Sequence, residues 1–395
     1  MLANYITTFF LNLKDISVFD FSNNSITIQL PRKTHSCPFC GHSTNKIHDY
    51  RIQHIKHIPI PHISYSLRLR KRRYVCPHCC KRFFENNPFL QKYQRMSVLL
   101  KKHIISSFSQ MKSASAIARD SGVSTSAVIR LFDNVSHSKP KLPSVISIDE
   151  FKGNADGEKF QSIIVNPADK KVLDVLPNRK TDDLCKYFSS FPMEERANVK
   201  YAVMDLSNTF RSVVKASLPN AKIVADKFHV CRLANWALDN IRREVQKDFA
   251  EGRRKYFKNS RMLLLMRRTK LKGPDRIEQL ANMLDVSEKL KYGYRLKELF
   301  YDVMDSRDSR EYVRKFKKWQ EEVNKCNLKQ FNKLLKTVTE WKSEIIAAIA
   351  TGYSNGYVEG CNNKTKVLKR SCYGIRSFKR LRNRILYMAN NGTRK

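Results

Sequence analysis

The chain has 395 residues with 75 Lys+Arg against 36 Asp+Glu, a formal charge of +39. That excess excludes most enzymes of small-molecule metabolism, while 42% hydrophobic and 10% aromatic residues exclude a disordered basic tail. The expectation is two or three folded domains that meet a polyanion, with nucleic acid the first candidate. No apolar run approaches the ~20 residues of a membrane span. The opening segment MLANYITTFFLNLKD lacks the basic start and small-residue cleavage site of a secretion signal, so no membrane partner is expected and the compartment is the cytosol.

Residues 1–90 read as a zinc-binding ribbon domain. CPFCG begins at Cys37 and CPHCC at Cys76, two pairs of equal spacing with 35 residues between them. In a reducing compartment such pairs read as metal ligands, and Cys37, Cys40, Cys76 and Cys79 would close a tetrahedral structural zinc site. Cys80 leaves the register of the second pair open, and His42 and His78, without partners at useful spacing, read as exposed histidines. Between the pairs, YSLRLRKRRYVC alternates like a strand and carries five cations from Arg68 to Arg73; Arg68 and Arg70 are candidate DNA contacts.

Residues 91–140 read as a helix-turn-helix DNA-binding domain. In SASAIARDSGVSTSAVIRLFDNV, Ala118 marks the close helix crossing, Gly122 the turn and Val128 the core. Ser124 caps the second helix and leaves Thr125, Ser126 and Arg130 to reach a major groove. Residues 1–148 hold 22 Lys+Arg and 6 Asp+Glu, as an arm on DNA would. The two prolines of SHSKPKLPS then mark a linker.

From residue 141 strand-like runs begin at Val145, Phe160, Lys171, Lys200 and Ala221, with helices from Thr181 and Asn208. Their β-β-β-α-β-α-β order predicts an α/β, ribonuclease-H-like mixed sheet over residues 141–227, in which the first and fourth strands lie parallel and adjacent. Their ends carry Asp149 and Asp205, oxygen ligands suited to Mg²⁺. Residues 228–352 read as an all-helical insertion and 353–395 as C-terminal helices of the catalytic domain with a basic tail. Beyond Gly352, Glu359 is the one acid. On a helix it shares a face with Asn362, Asn363 and Lys366, while Val358, Cys361, Thr365 and Leu368 share another. Glu359 is the candidate third carboxylate for two Mg²⁺ ions, and Lys366 on its face, with Lys379 and Arg380 in the acid-free tail, is expected to contact DNA phosphates.

SIDEF, VMDLS, ADKFHV and SNGYVEGCNNKTKVLKRSCYGIRSFKRLRNRILY resemble the catalytic blocks of bacterial insertion-sequence transposases of the ISL-three family, DDE enzymes with an N-terminal zinc ribbon and helix-turn-helix. The resemblance implies a DNA transposase with Asp149, Asp205 and Glu359 as triad, cleaving element ends and joining them to target DNA, as a homo-oligomer on double-stranded DNA at the nucleoid. A binding-only regulator and a structure-selective nuclease are the competing readings; the three acids argue against the first and the sequence-reading arm against the second. Asp226 and His229 resemble the C/D-x-x-H motif of Mutator-like transposases and imply active-site support, against the ordinary alternative of a helix-start Asp and a packed His. Trp236, Trp319 and Trp341 fall in the insertion, where related transposases use an aromatic to stack a displaced base, although a core position is the ordinary fate of tryptophan.

Overall fold

The computed structural model describes residues 16–22, 24–59, 65–91 and 94–391; the opening segment and residues 392–395 of the tail lie outside these. The chain divides into two units, one of residues 1–138, 365–375 and 379–395, the other of residues 139–364 and 376–378. Among the described residues no helix is long and apolar enough to cross a membrane.

In the first unit, strands β1 (Ser17–Ser22) and β2 (Ser25–Gln29) form a hairpin, and a short hairpin of β3 (His35–Ser36) and β4 (Ser43–Thr44) surrounds the first cysteine pair. Strand β5 (Ile47–Ile55) runs antiparallel to β6 (Ser66–Val75), which also pairs in parallel with β2 and antiparallel with β7 (Arg82–Phe84). Alternation along β6 turns Leu67 and Leu69 into a core with Ile26, Ile28 and Ile55. The basic residues of β6 have separate fates. Arg68 is exposed, Arg70 lies 3.7 Å over the Tyr50 ring, Arg73 pairs with Asp49, and Arg72 is buried against Glu85 at 3.2 Å.

Three helices follow: α1 (Val98–Ser107), α2 (Ala114–Ser121) and α3 (Thr125–Asp133). Each opens on a serine cap, Ser97, Ser113 and Ser124, whose hydroxyl accepts a backbone N–H of the first turn. Gly122 ends α2 at φ +62°, a left-handed cap that turns the chain sharply into α3. Ile104, Ile117, Ala118, Val128 and Phe132 fill the core between them.

The second unit is built on strands β8 (Val145–Ala155), β9 (Glu158–Asn166), β10 (Lys171–Leu176), β11 (Tyr201–Met204) and β12 (Lys222–Ala225), in the order β10-β9-β8-β11-β12. β8 runs antiparallel to β9, and β11 runs parallel to both β8 and β12. Helices α4 (Thr181–Ser189) and α6 (Asn208–Ser217) cover one face, where Leu184, Phe188, Phe210 and Val214 meet Ile146, Ile148 and Met204; the short α5 (Met193–Ala197) precedes β11.

A helical body follows: α7 (Lys227–Val245), α8 (Glu251–Asn259), α9 (Arg261–Leu265), α10 (Pro274–Leu284), α11 (Glu288–Met304), α12 (Ser309–Cys326) and α13 (Lys329–Glu340). Its core includes Trp319, Trp341, Phe300 and Phe331. Helix α14 (Lys342–Thr351), which the sequence assigns to the insertion, is part of the sheet's own packing: Ala348 packs with Val145, Val203 and Val224 on the face opposite α4 and α6.

Helix α15 (Gly356–Ser371) passes from one unit to the other, and α16 (Phe378–Asn391) belongs with the helix-turn-helix rather than with the catalytic body as the sequence places it. Tyr387 meets Phe132 edge-on at 5.6 Å, and buried Arg384 donates to the carbonyls of Gln110 and Lys112 at 2.7 Å each.

Candidate functional site

The four cysteines come together as their spacing predicts. Cys37 and Cys79 Sγ atoms stand 3.5 Å apart, Cys40 and Cys76 3.6 Å, and all four lie within 4.8 Å of one another. Thiolates at ~2.3 Å around one zinc stand about 3.8 Å apart, so this donor set fits a structural zinc site. Each pair is a tight knuckle, closed by Gly41 N–H to Cys37 carbonyl and by Cys80 N–H to Cys76 carbonyl, both at 2.9 Å. Gly41 (φ +76°) and Cys80 (φ +54°) occupy equivalent left-handed positions, which settles the register: Cys80 is the turn residue after the ligand Cys79. Backbone N–H groups of Cys79 and His78 favour the Cys76 thiolate, lowering its pKa to about 6. His42 and His78 are exposed, and their rings stack at 5.1 Å.

On α3, Thr125, Ser126 and Arg130 are exposed, Arg130 beside a groove of about 630 Å³ that Lys56 and Lys101 also line. Lys366 and Lys379 are exposed. Arg380 differs from the expectation: its Nε and Nη2 reach the Asp133 carboxylate at 3.0 and 2.8 Å, so it ties α16 to the end of α3.

In the sheet, Val203 opposes Ser147 and Met204 opposes Ala225. Continuing this register past the paired residues aligns Asp149, Asp205 and Asp226 in one row across β8, β11 and β12, at ~4.8 Å per strand. Side chains alternate, so the row lies on the face of Val145, Val203 and Val224. Burial raises the Asp149 carboxyl to about 6, with the Asp205 charge adding to it, and burial likewise raises Asp205. Buried Oδ1 of Asp205 has no hydrogen-bond partner among the described residues. Crowded carboxylates with an unpartnered buried oxygen are what a hard divalent cation neutralises.

Asp149 accepts from the Glu150 N–H and from Asn362 Nδ2, each at 2.8 Å. At the other end, Asp226 pairs with the His229 ring at 2.7 Å and accepts the Asn355 N–H at 3.3 Å. The bond to Asp226 raises the His229 pKa. The start of α15 therefore crosses the row, with Asn355 over β12 and Asn362 over β8. Seven helical residues rise ~10.5 Å, close to two strand spacings of ~4.8 Å. Glu359 lies four residues after Asn355 and three before Asn362, the spacing that puts residues on one side of a helix. It is exposed, whereas Val358, Cys361, Thr365 and Leu368 are buried as the pattern predicts.

Among the described residues, oxygens of Asp149, Asp205 and Glu359 do not gather within 4.8 Å of one another as the cysteine sulfurs do. The sequence reading missed Asn355, 2% exposed with both side-chain polar atoms unpartnered, and the Arg179–Glu150 pair at 2.6 Å beside Asp149. The SNG turn before α15 was the available signal for Asn355; the Arg179 contact is non-local and left none.

Three family profiles match the chain. The ISL3 DDE profile, described as transposase, matches residues 146–385, a zinc-finger of transposase IS204/IS1001/IS1096/IS1165 matches residues 33–79, and the helix-turn-helix domain of transposase family ISL3 matches residues 85–136. The transposase for insertion sequence element IS1001 of Bordetella parapertussis is 24% identical over 360 residues, covering 89% of this chain and 88% of that protein. The transposase for insertion sequence element IS1557 of Mycobacterium tuberculosis is 25% identical over 254 residues, covering 59% of this chain and 57% of the relative.

Proposed function

The chain belongs to the ISL3 family of insertion-sequence transposases, and from that premise we propose that it binds the terminal inverted repeats of its element and catalyses Mg²⁺-dependent strand cleavage and strand transfer through Asp149, Asp205 and Glu359. The observation that carries the proposal is the register row, which brings Asp149 and Asp205 side by side on parallel strands beneath the helix that bears Glu359. The strand order, with three antiparallel strands followed by two parallel ones, supports a ribonuclease-H-like core.

In this reading Asp149, Asp205 and Glu359 would hold two Mg²⁺ ions, which would supply Lewis acidity to a water or 3′-hydroxyl nucleophile and to the phosphodiester. The protein's part is positional. Asn362 fixes the Asp149 carboxylate, Asp226 holds His229 in orientation and raises its pKa, and the cations of α15 face an incoming phosphate. Because the nucleophile is water or the DNA's own 3′-hydroxyl, no covalent protein intermediate is required. The zinc ribbon and helix-turn-helix select the ends, Thr125, Ser126, Arg130, Arg68 and Arg70 supplying contacts, and a homo-oligomer pairs two ends on double-stranded DNA at the cytoplasmic nucleoid.

The test is cleavage of a cognate element end. Asp149→Asn and Asp205→Asn keep shape and remove charge, so end binding should persist while Mg²⁺-dependent nicking falls by orders of magnitude. Undiminished nicking by either variant would refute the assignment.

A further inference from the structure

One surface arginine is held by more contacts than a solvated cation needs. Arg179 lies in the turn between β10 and α4, and Asn178 pins that turn. Its carbonyl accepts from Ser162 Oγ at 2.9 Å, and its side chain donates to Asp183 at 2.6 Å and accepts the Lys180 N–H at 2.9 Å. The arginine side chain is fixed as well. Nη1 donates to both carboxylate oxygens of Glu150, at 2.8 and 2.6 Å, and the guanidinium lies 4.7 Å from the Phe160 ring centroid. Register sets Glu150 opposite Ser162 and Lys152 opposite Phe160, so Glu150 and Phe160 stand on one face of the β8–β9 hairpin.

Stability does not account for this arrangement. The side chains of Arg179 and Glu150 are 52% and 27% exposed, and an ion pair so open to water contributes little. What the contacts do achieve is a fixed guanidinium with one edge open. Glu150 takes Nη1 alone, and among the described residues Nε and Nη2 carry no hydrogen bond. Those two N–H groups point the same way, a fork that fits two oxygens of one phosphate.

The fork stands at the carboxylate row. Glu150 follows Asp149 in the chain and gives its N–H to the Asp149 carboxylate at 2.8 Å. Burial raises the Asp205 pKa, and the Arg179 charge is near enough to pull it back down. A phosphodiester approaching this group of carboxylates is repelled unless cations offset them, and Arg179 is a cation already held at their edge.

We propose that the Nε and Nη2 edge of Arg179 binds the non-bridging oxygens of the phosphate being cut and stabilises the charge that gathers on them as the nucleophile adds, with Glu150 and Phe160 positioning the guanidinium; the proposal rests on the carboxylate row being the site of strand cleavage. The competing role is charge balance, in which Arg179 only neutralises Glu150 beside Asp149. The two roles differ in what removing both charges does.

The first arm of the test reads binding. Full-length protein without divalent metal is titrated with duplexes carrying the element's inverted repeat and flanking DNA, each with one phosphate replaced by an uncharged methylphosphonate. At the cleavage point, the ratio of affinities for unmodified and modified duplex should be about fivefold larger for wild type than for Arg179→Gln, and at other phosphates the ratios should agree. The second arm reads Mg²⁺-dependent nicking. Arg179→Gln should lose about a hundredfold, and Arg179→Lys, which keeps the charge without the fork, should recover only part of it. Glu150→Gln loosens the arginine without removing it and should cost less. Arg179→Gln combined with Glu150→Gln has the net charge of wild type but still lacks the fork, so it should stay as slow as Arg179→Gln alone. Undiminished nicking by Asp149→Asn would refute the cleavage site and leave the affinity ratios at Arg179 to be read separately. Recovery of nicking in the double variant, or equal affinity ratios for the two proteins at the cleavage point, overturns the proposal.

Discussion

Glu359 and Asp226 compete for the third place beside Asp149 and Asp205, and their surroundings separate them. Asp226 is 3% exposed, with one oxygen on His229 and the other on the Asn355 N–H, so it holds neighbours. Glu359 is exposed and stands between two buried asparagines, open as a ligand to metal and substrate must be. Glu359→Gln should therefore match Asp149→Asn in abolishing Mg²⁺-dependent cleavage, and the double variant should cost little more than either single, because the carboxylates act as one site. Asp226→Asn keeps one acceptor oxygen, for the Asn355 N–H, and turns an amide donor toward His229; it should lose less activity than Glu359→Gln, with a shifted pH profile because the carboxylate that raises the His229 pKa is gone. Asn362→Ala removes a bond to a charged carboxylate, a loss of about tenfold in rate. Cleavage assays across Mg²⁺ concentration check all of these. Robust cleavage by Glu359→Gln together with loss in Asp226→Asn would transfer the third role to Asp226.

At the scale of elements, what the sequence made legible was local. The Ser124 cap, the Gly122 turn, the cysteine spacing and the alternation of VISIDEF each depend on neighbours within a few residues, and each element formed where its pattern lay. The docking of α16 was hidden because its partners are remote in sequence. Its buried face includes Leu381, Ile385, Leu386 and also Arg384, a cation that composition assigns to phosphate. Arg384 lies 4.6 Å over Phe108 and caps the carbonyls of Gln110 and Lys112, which no periodicity reveals. Arg72 is a second case, a strand cation that faces Glu85 rather than solvent. Arg384→Met should remove the side-chain donor from two part-buried carbonyls and cost about 1–3 kcal/mol, seen as a lowered thermal midpoint of the full-length protein and weaker end binding. Arg380→Ala breaks a half-exposed pair and should cost at most about 1 kcal/mol. Lys379→Ala should leave stability alone and reduce DNA affinity equally for cognate and random sequence. Unchanged stability in Arg384→Met would remove α16 from the fold of the arm.

Across the whole molecule, a charge of +39 gives affinity for any DNA, so selection must come from shape held in a fixed geometry. In the arm that geometry hangs on four thiols. Cys37 and Cys40 lie between the short strands β3 and β4, and Cys76 and Cys79 between β6 and β7, so the metal joins segments that the small core of Ile28, Leu67 and Leu69 does not itself cross-link. Zinc binding to such sites is folding free energy of about 10–16 kcal/mol in isolated fingers, well above what a core of this size supplies. Chelation of the full-length protein at neutral pH should therefore abolish discrimination between cognate ends and random DNA. General DNA affinity and its steep salt dependence should persist, because the cations of the second unit are untouched. The helical circular dichroism should change little, since most helices lie in residues 181–351 and depend on Trp319, Trp341 and the sheet rather than on the metal. Readdition of zinc should restore discrimination at one ion per chain. Cys76→Ser should reproduce the chelated state irreversibly, whereas Cys80→Ser should behave as wild type, because Cys80 serves the turn and not the metal. Full discrimination without zinc, or loss of it in Cys80→Ser, would refute this ligand set.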